Sequence, residues 1–262
     1  MSKLRRFHVD SLQGSKDGDS IALPADEARH VRVLRLEPGA EIEVFDSAGY
    51  SARGLLEESN ATQESDAHVL QIAVRLSIPP KFVTRRRSLV LGVAWPKGKR
   101  ASLLVEKCSE LGVNRIIPVR YLRSVVSKRE ESEGIARLRR IAAEAAKQCG
   151  RNDVPEIAEE VSFQQVLNDA AAHLMLLLDP RAEAHIVQVL CDKSQEFVRD
   201  SRPIFLLVGP EGGFSLEELA AAESAAIRRV RLAANVLRVE TAAIAACAVT
   251  QAILDEEYIV GE

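Results

Sequence analysis

The sequence predicts a two-part α/β protein: a small β-rich N-terminal domain, then a larger domain with a mainly parallel sheet and helices on both faces. Three observations predict it. Short segments of alternating polarity, separated by turn signals, fill residues 1–76. The stretch Ser77-Ile78-Pro79-Pro80-Lys81 then interrupts the pattern. From Ser88 onward, continuous apolar runs alternate with helical segments. Alternation marks strands with one face in water, whereas continuous apolar runs mark strands buried on both faces.

The N-terminal strands are read at 20–24 (SIALP), 41–46 (EIEVFD), 50–57 (YSARGLLE) and 68–76 (HVLQIAVRL), with one helix over Ala25–Leu34. Pro38-Gly39 and Ser47-Ala48-Gly49 supply the turns. A small barrel over 1–76 is expected, with a linker over 77–87, because consecutive prolines favour an extended chain. The second domain, 88–262, has strands at 88–95 (SLVLGVAW), 115–119 (RIIPV), 173–179 (HLMLLLD), 204–209 (IFLLVG) and 229–233 (RVRLA). Its helices are read over Lys99–Leu111, Ser132–Cys149 and Leu216–Arg228; Gly112 and Gly150 cap the first two. The third opens on a capping box, in which Ser215 and Glu218 satisfy each other's free amides. Strand–helix alternation of this kind predicts a parallel sheet.

Composition narrows the functional classes. Of 262 residues, 47% are hydrophobic and 28% charged, which excludes wholesale disorder. No apolar run approaches the roughly 20 residues that span a bilayer. The opening MSKLRRFHVD has no apolar stretch behind its basic residues and is not read as a secretory signal. Cys108, Cys149, Cys191 and Cys247 lie far apart, so neither a metal site nor a disulfide framework is expected, and the location read from them is cytoplasmic. The net charge of −3 hides a strong asymmetry: residues 81–151 carry 18 Lys/Arg against 6 Asp/Glu, while 152–262 carry 8 against 19. A segment this basic attracts a polyanion even within an acidic chain. Arg137 and Arg140 share a helix face with Lys147, and Arg151 lies just beyond, a stripe that fits a nucleic-acid backbone.

Two loops follow buried strands, where open α/β sheets bind ligands. Gly209-Pro210-Glu211-Gly212-Gly213-Phe214-Ser215 has three glycines in five residues, as a sharp turn or a close ligand approach requires. It lacks the lysine of a Walker loop and the GxGxxG spacing; on glycines alone it is equally a plain strand-to-helix turn. The second loop, Leu232 to Arg238, leads through Val239 and Glu240 into TAAIAACAVTQAIL, a helix too apolar to face water alone. Arg238 and Glu240 at its mouth are, by themselves, an ion pair near a helix start.

Together these segments carry a resemblance. VGPEGGFSxxE followed by VLRVETA resembles the paired signature of the RsmE family, the 16S ribosomal RNA uridine-N3 methyltransferases of the SPOUT superfamily. The likeness runs along nearly the whole chain. Arg6-Phe7 and His30-Val31-Arg32-Val33-Leu34-Arg35 resemble its N-terminal elements. Lys97-Gly98, Glu106-Lys107, Glu110-Leu111-Gly112-Val113, Arg123-Ser124 and Gln148 to Pro155 resemble later ones in matching order. The chain departs where Ala233 and Asn235 replace a usual glycine and arginine, and where Leu138 replaces a frequent tryptophan.

The resemblance implies a PUA-like barrel, a SPOUT-type α/β domain with a trefoil knot, a homodimer, and S-adenosyl-L-methionine as cofactor, with 16S rRNA of the small ribosomal subunit as partner. It implies cofactor contacts from Leu178, Val208, Gly209, Pro210, Glu211, Gly212, Gly213, Leu232, Ala233, Asn235, Val236, Leu237, Arg238 and Thr241. Arg238 is the candidate for stabilising a uridine anion, and either Glu211 or Glu240 for accepting the N3 proton. RNA contacts are expected from Arg6, His30, Arg32, Arg35, Lys97, Arg123, Arg137, Arg140, Arg151 and Asn152. The alternatives are another SPOUT enzyme, acting on a ribose 2′-oxygen or on tRNA, and a non-enzymatic RNA-binding assembly factor.

Overall fold

The computed structural model describes residues 4–46, 49–59, 71–82, 87–124, 132–151, 153–192 and 202–260. The chain divides into two compact units, Met1–Arg85 with Ala146–Val154, and Arg86–Ala145 with Pro155–Glu262. The C-terminal end of one long helix thus belongs to the first unit.

The first unit is a six-stranded sheet of β1 (Arg5–His8), β2 (Ser20–Ala22), β3 (Glu41–Phe45), β4 (Tyr50–Ser59), β5 (Gln71–Leu76) and β6 (Lys81–Phe82). Its order is β1-β3-β4-β5-β2, with β6 on β4; only the β1–β3 pair is parallel. Alternation does the work expected of it: Ile42 and Val44 of β3 and Val74 and Leu76 of β5 point inward, onto Phe7 and Leu12. Helix α1 (Ala25–Val33) lays Ala28 and Val31 on the same core. Each of these side chains larger than alanine contributes about 1.5–3 kcal/mol by leaving water. The β6 strand falls inside the stretch read as linker, where Lys81 pairs with Ser51.

The second unit is a seven-stranded, wholly parallel sheet: β7 (Leu89–Val93), β8 (Arg115–Arg120), β9 (Glu156–Ile157), β10 (Val161–Ser162), β11 (Leu174–Leu178), β12 (Ile204–Val208) and β13 (Arg228–Val230). The order is β10-β8-β7-β12-β11-β13, with β9 on β8. Every residue of β7, β11 and β12 is buried, which is why these strands read as unbroken apolar runs. The helices are α2 (Lys99–Glu110), α3 (Ser132–Cys149), α4 (Phe163–Asn168), α5 (Ile186–Cys191), α6 (Leu216–Ser224) and α7 (Val239–Val260). Helix α6 ends four residues earlier than expected. Ala225 caps it and Ala226 adopts a left-handed φ of 57°, so the chain turns without the glycine that would have announced the stop. The two-residue strands β6, β9 and β10, the four-residue β1 and the six-residue α4 and α5 are too short to show a period. They were not legible beforehand.

Helix α7 is covered by its own chain on one side. It is not buried all round: Ala243, Ala246, Cys247, Thr250 and Leu254 form the buried stripe, while Ala242, Ile244, Ala245, Ala248 and Val249 are half-buried. It packs on α2, α5, β7 and β12. Among the described residues no helix is long and apolar enough to cross a membrane, and no group of three or more His, Cys, Asp or Glu side chains is placed to hold a metal.

Candidate functional site

Three neighbouring strands set the site. β12 pairs with β11, and β11 with β13, all parallel, so their C-terminal ends open on one edge of the sheet. Chain leaving those ends encloses a cavity of about 270 Å³ within the second unit. Leu178, Asp179 and Pro180 come from the end of β11. Val208, Gly209, Pro210, Glu211, Gly213 and Phe214 come from the end of β12. Leu232, Ala233, Asn235, Val236, Leu237 and Arg238, with Val239 and Ala242 of α7, close the third side.

Most of the expected cofactor residues therefore meet in one place. Gly212 and Thr241 do not border the cavity. Gly212 turns its carbonyl outward to Arg123, and Thr241 is exposed on α7. Asp179, Pro180, Phe214, Val239 and Ala242 are wall residues that sequence reasoning missed. For Asp179 a signal existed: it directly follows a five-residue apolar strand, so it sits at the ligand edge of a parallel sheet.

The glycine turn is compact. Gly213 has a φ of 67°, and its N–H donates to the Pro210 carbonyl at 2.8 Å. A Cβ on Gly209 would lie 2.7 Å from the Phe214 ring, so only glycine admits that packing. Phe214 lies edge-on to Tyr121, and both pack with Phe163. Burial, with the nearby Glu218 charge adding to it, holds the Tyr121 phenol protonated well above its ordinary range.

Three charged groups meet the cavity. The Asp179 carboxyl accepts from the Arg181 N–H at 3.0 Å and from Arg229 Nη2 at 2.6 Å, fixing the bend after β11. Glu211 is well exposed, and Arg238 is exposed at the cavity's edge. Arg100 of α2 stands between two acids, 3.9 Å from Glu211 and 3.8 Å from Glu240. Glu240 itself is buried beside the cavity, and its Oε2 has no hydrogen-bond partner among the described residues.

The expected RNA contacts scatter. Arg32, Arg35, Lys97, Arg123 and Arg140 are exposed; Arg137 is exposed and donates to Ser102 Oγ at 3.1 Å. Arg35 sits just past α1 with a φ of 53°. Three members are committed within the first unit. The Arg6 side chain is only 5% exposed; it lies over the Phe45 ring, pairs with Glu43 and donates to the Arg151 carbonyl at 2.6 Å. His30 packs edge-on against Phe7. Arg151 is bidentate to Asp153. Lys147, expected on the exposed stripe, pairs instead with buried Glu27, so the stripe does not extend to it. Asn152 lies outside the described residues.

With this geometry in view, residues 84–251 match the family model described as RNA methyltransferase domain, and residues 23–63 match the RNA methyltransferase PUA domain. A Mycobacterium bovis protein named ribosomal RNA small subunit methyltransferase E is 30% identical over 248 residues, covering 92% of this chain and 88% of that protein. A solved methyltransferase E of Neisseria gonorrhoeae, bound to S-adenosyl methionine, aligns with a TM-score of 0.77 at 25% identity, over 95% of this chain and 98% of its own. A Legionella pneumophila methyltransferase with bound SAM aligns with a TM-score of 0.77 at 28% identity, again over 95% and 98%.

Proposed function

The chain belongs to the RNA methyltransferase family, and from that premise we propose that it methylates a uridine of 16S ribosomal RNA at N3, with S-adenosylmethionine as methyl donor. The observation that carries the reading is the cavity at the C-terminal ends of β11, β12 and β13, bordered by both signature loops.

The wall fits that cofactor chemically. Leu178, Val208, Leu232 and Leu237 offer apolar surface to an adenine ring, and Gly209 and Gly213 let backbone approach closely. Asp179 and Glu211 put carboxylates beside a ligand that bears a positive sulfonium. When bound, the sulfonium supplies an already activated methyl group, so the protein's part is orientation, charge and proton handling. Arg238, exposed at the edge, stabilises negative charge developing on a uracil carbonyl oxygen. Glu211 borders the cavity and reaches solvent, which suits it to take the N3 proton. Glu240 holds Arg100 beside it.

On this reading the catalytic domain carries the family's trefoil knot, and the enzyme works in the cytoplasm as a homodimer on the small subunit. The half-buried apolar face of α7 and the 80% exposed Val236 support a second copy. Arg35 of the first unit and Lys97, Arg137 and Arg140 of the second are exposed and suited to meet RNA phosphates.

The test is nucleoside mass spectrometry of 16S rRNA from a strain lacking this chain. 3-Methyluridine should disappear, return with the wild-type gene, and stay absent with Arg238→Ala. Unchanged 3-methyluridine with loss of a ribose-methylated nucleoside would move the acceptor to the 2′-oxygen.

A further inference from the structure

Among the described residues three helices, α4, α5 and α6, open on capping boxes, and the two built on serine differ in one atom's use. At the start of α4, the Gln165 N–H donates to Ser162 Oγ at 3.3 Å and the Ser162 N–H donates to Gln165 Oε1 at 2.8 Å. At the start of α6, the Glu218 N–H donates to Ser215 Oγ at 3.1 Å and the Ser215 N–H donates to Glu218 Oε2 at 2.8 Å. There the second oxygen is also engaged. Glu218 Oε1 accepts from the Leu122 N–H at 2.8 Å, in the turn that follows β8 and 96 residues away in sequence. Glu218 is 9% exposed, so both oxygens face backbone donors out of water.

The Tyr121–Ser124 turn reaches back to the glycine turn by two further routes. Arg123 Nη1 donates to the Gly212 carbonyl at 3.0 Å. The Tyr121 ring meets Phe214 edge-on at 5.3 Å, and Phe214 is the side chain that fills the space over Gly209. A helix cap alone requires none of this, as the α4 box shows.

We propose that Glu218 is a positioning residue for methyl transfer, with Arg123 as its second. Together they clasp the Tyr121–Ser124 turn to the Gly209–Gly213 turn and hold the latter in its cofactor-binding shape. The proposal rests on the reading of the cavity as the cofactor site. Its discriminating feature is chemical. Glutamine serves a capping box as well as glutamate does. It cannot clasp, because its amide nitrogen is a donor and would face an N–H where Oε1 or Oε2 now accepts.

The experiment uses the full chain and S-adenosylhomocysteine, titrated calorimetrically, alongside steady-state kinetics and ligand-free amide exchange. Glu218→Gln should weaken binding roughly tenfold, the loss of one hydrogen bond to a charged group. The cofactor KM should rise in step, with kcat moving far less. Exchange at the Leu122 amide should quicken. Glu218→Asp, which restores two acceptor oxygens, should recover part of the affinity. Gln165→Glu should change nothing. Arg123→Ala, an exposed change that leaves folding intact, should weaken binding by about threefold. A Glu218→Gln chain that binds like wild type, or an unaltered Leu122 amide, would overturn the positioning role and leave a plain cap. A wild-type chain that fails to bind S-adenosylhomocysteine would overturn the reading of the cavity itself, and the positioning role with it.

Discussion

The two loops that wall the cavity are built on opposite principles. The 209–215 turn is fixed on every side: Gly213 is bonded back to Pro210, Gly212 to Arg123, Ser215 to Glu218, and Gly209 lies under Phe214. The 232–238 segment is laid open instead, with Ala234, Asn235, Val236 and Arg238 exposed. A preorganised turn spends no free energy on ordering when a ligand arrives. An open segment bearing an arginine is suited to meet what arrives from outside, the acceptor base or a second copy. The fixed turn serves cofactor affinity, and the exposed Arg238 of the open segment serves turnover.

Substitutions in one loop at a time separate these roles. The largest effect should come from Arg238→Ala in the open loop: kcat should fall by roughly 10²- to 10³-fold, as when one charge-stabilising donor is lost, with a much smaller change in cofactor affinity. Should affinity fall as far as kcat, the division of labour fails. Gly209→Val in the fixed turn should do the reverse. Its Cβ would meet the Phe214 ring at 2.7 Å, so the turn must shift, and binding of S-adenosylhomocysteine should weaken by more than about tenfold in calorimetry. Val236→Asp should act on assembly: light scattering of wild type should give twice the 28.7 kDa chain mass, and the variant should shift towards the single chain. A variant that stays dimeric would leave Val236 to the RNA.

The smallest effect is a pH dependence confined to the fixed turn. The Ser215 hydroxyl, with Arg123 adding its charge, holds the Glu217 carboxyl below its ordinary 4.5. A lowered folded-state value stabilises above the unfolded value and is lost as pH falls through 4.5 and below. Amide-exchange protection, taken relative to the intrinsic rate at each pH, should therefore fall at Ser215–Glu218 on acidification past that point while that of residues 232–238 does not change, and Glu217→Gln should remove the difference.

How much of this was legible in the sequence follows from what each feature depends on. Both loops could be read because buried parallel strands are continuous apolar runs, and the segments just beyond them must hold the ligand edge. The capping box of α6 was equally plain, since it is local. Its third partner was not, because nothing in FSLEE announces that Leu122 will present an N–H to the spare oxygen. Phe214 reads as one more apolar residue until its ring is seen over Gly209. The charge map misled for the opposite reason. Counting Arg6, Lys147 and Arg151 as basic says nothing of burial, and the fold spends them on Glu43, Glu27 and Asp153.

The most direct measurement is a crystal structure of the full chain grown with S-adenosylhomocysteine. One ligand per chain should occupy the cavity, its adenosine against Leu178, Leu232 and Leu237 and the glycine turn in the shape it already has. Ligand density elsewhere, or a glycine turn rebuilt to admit it, would contradict both the site and the claim that this loop is preformed.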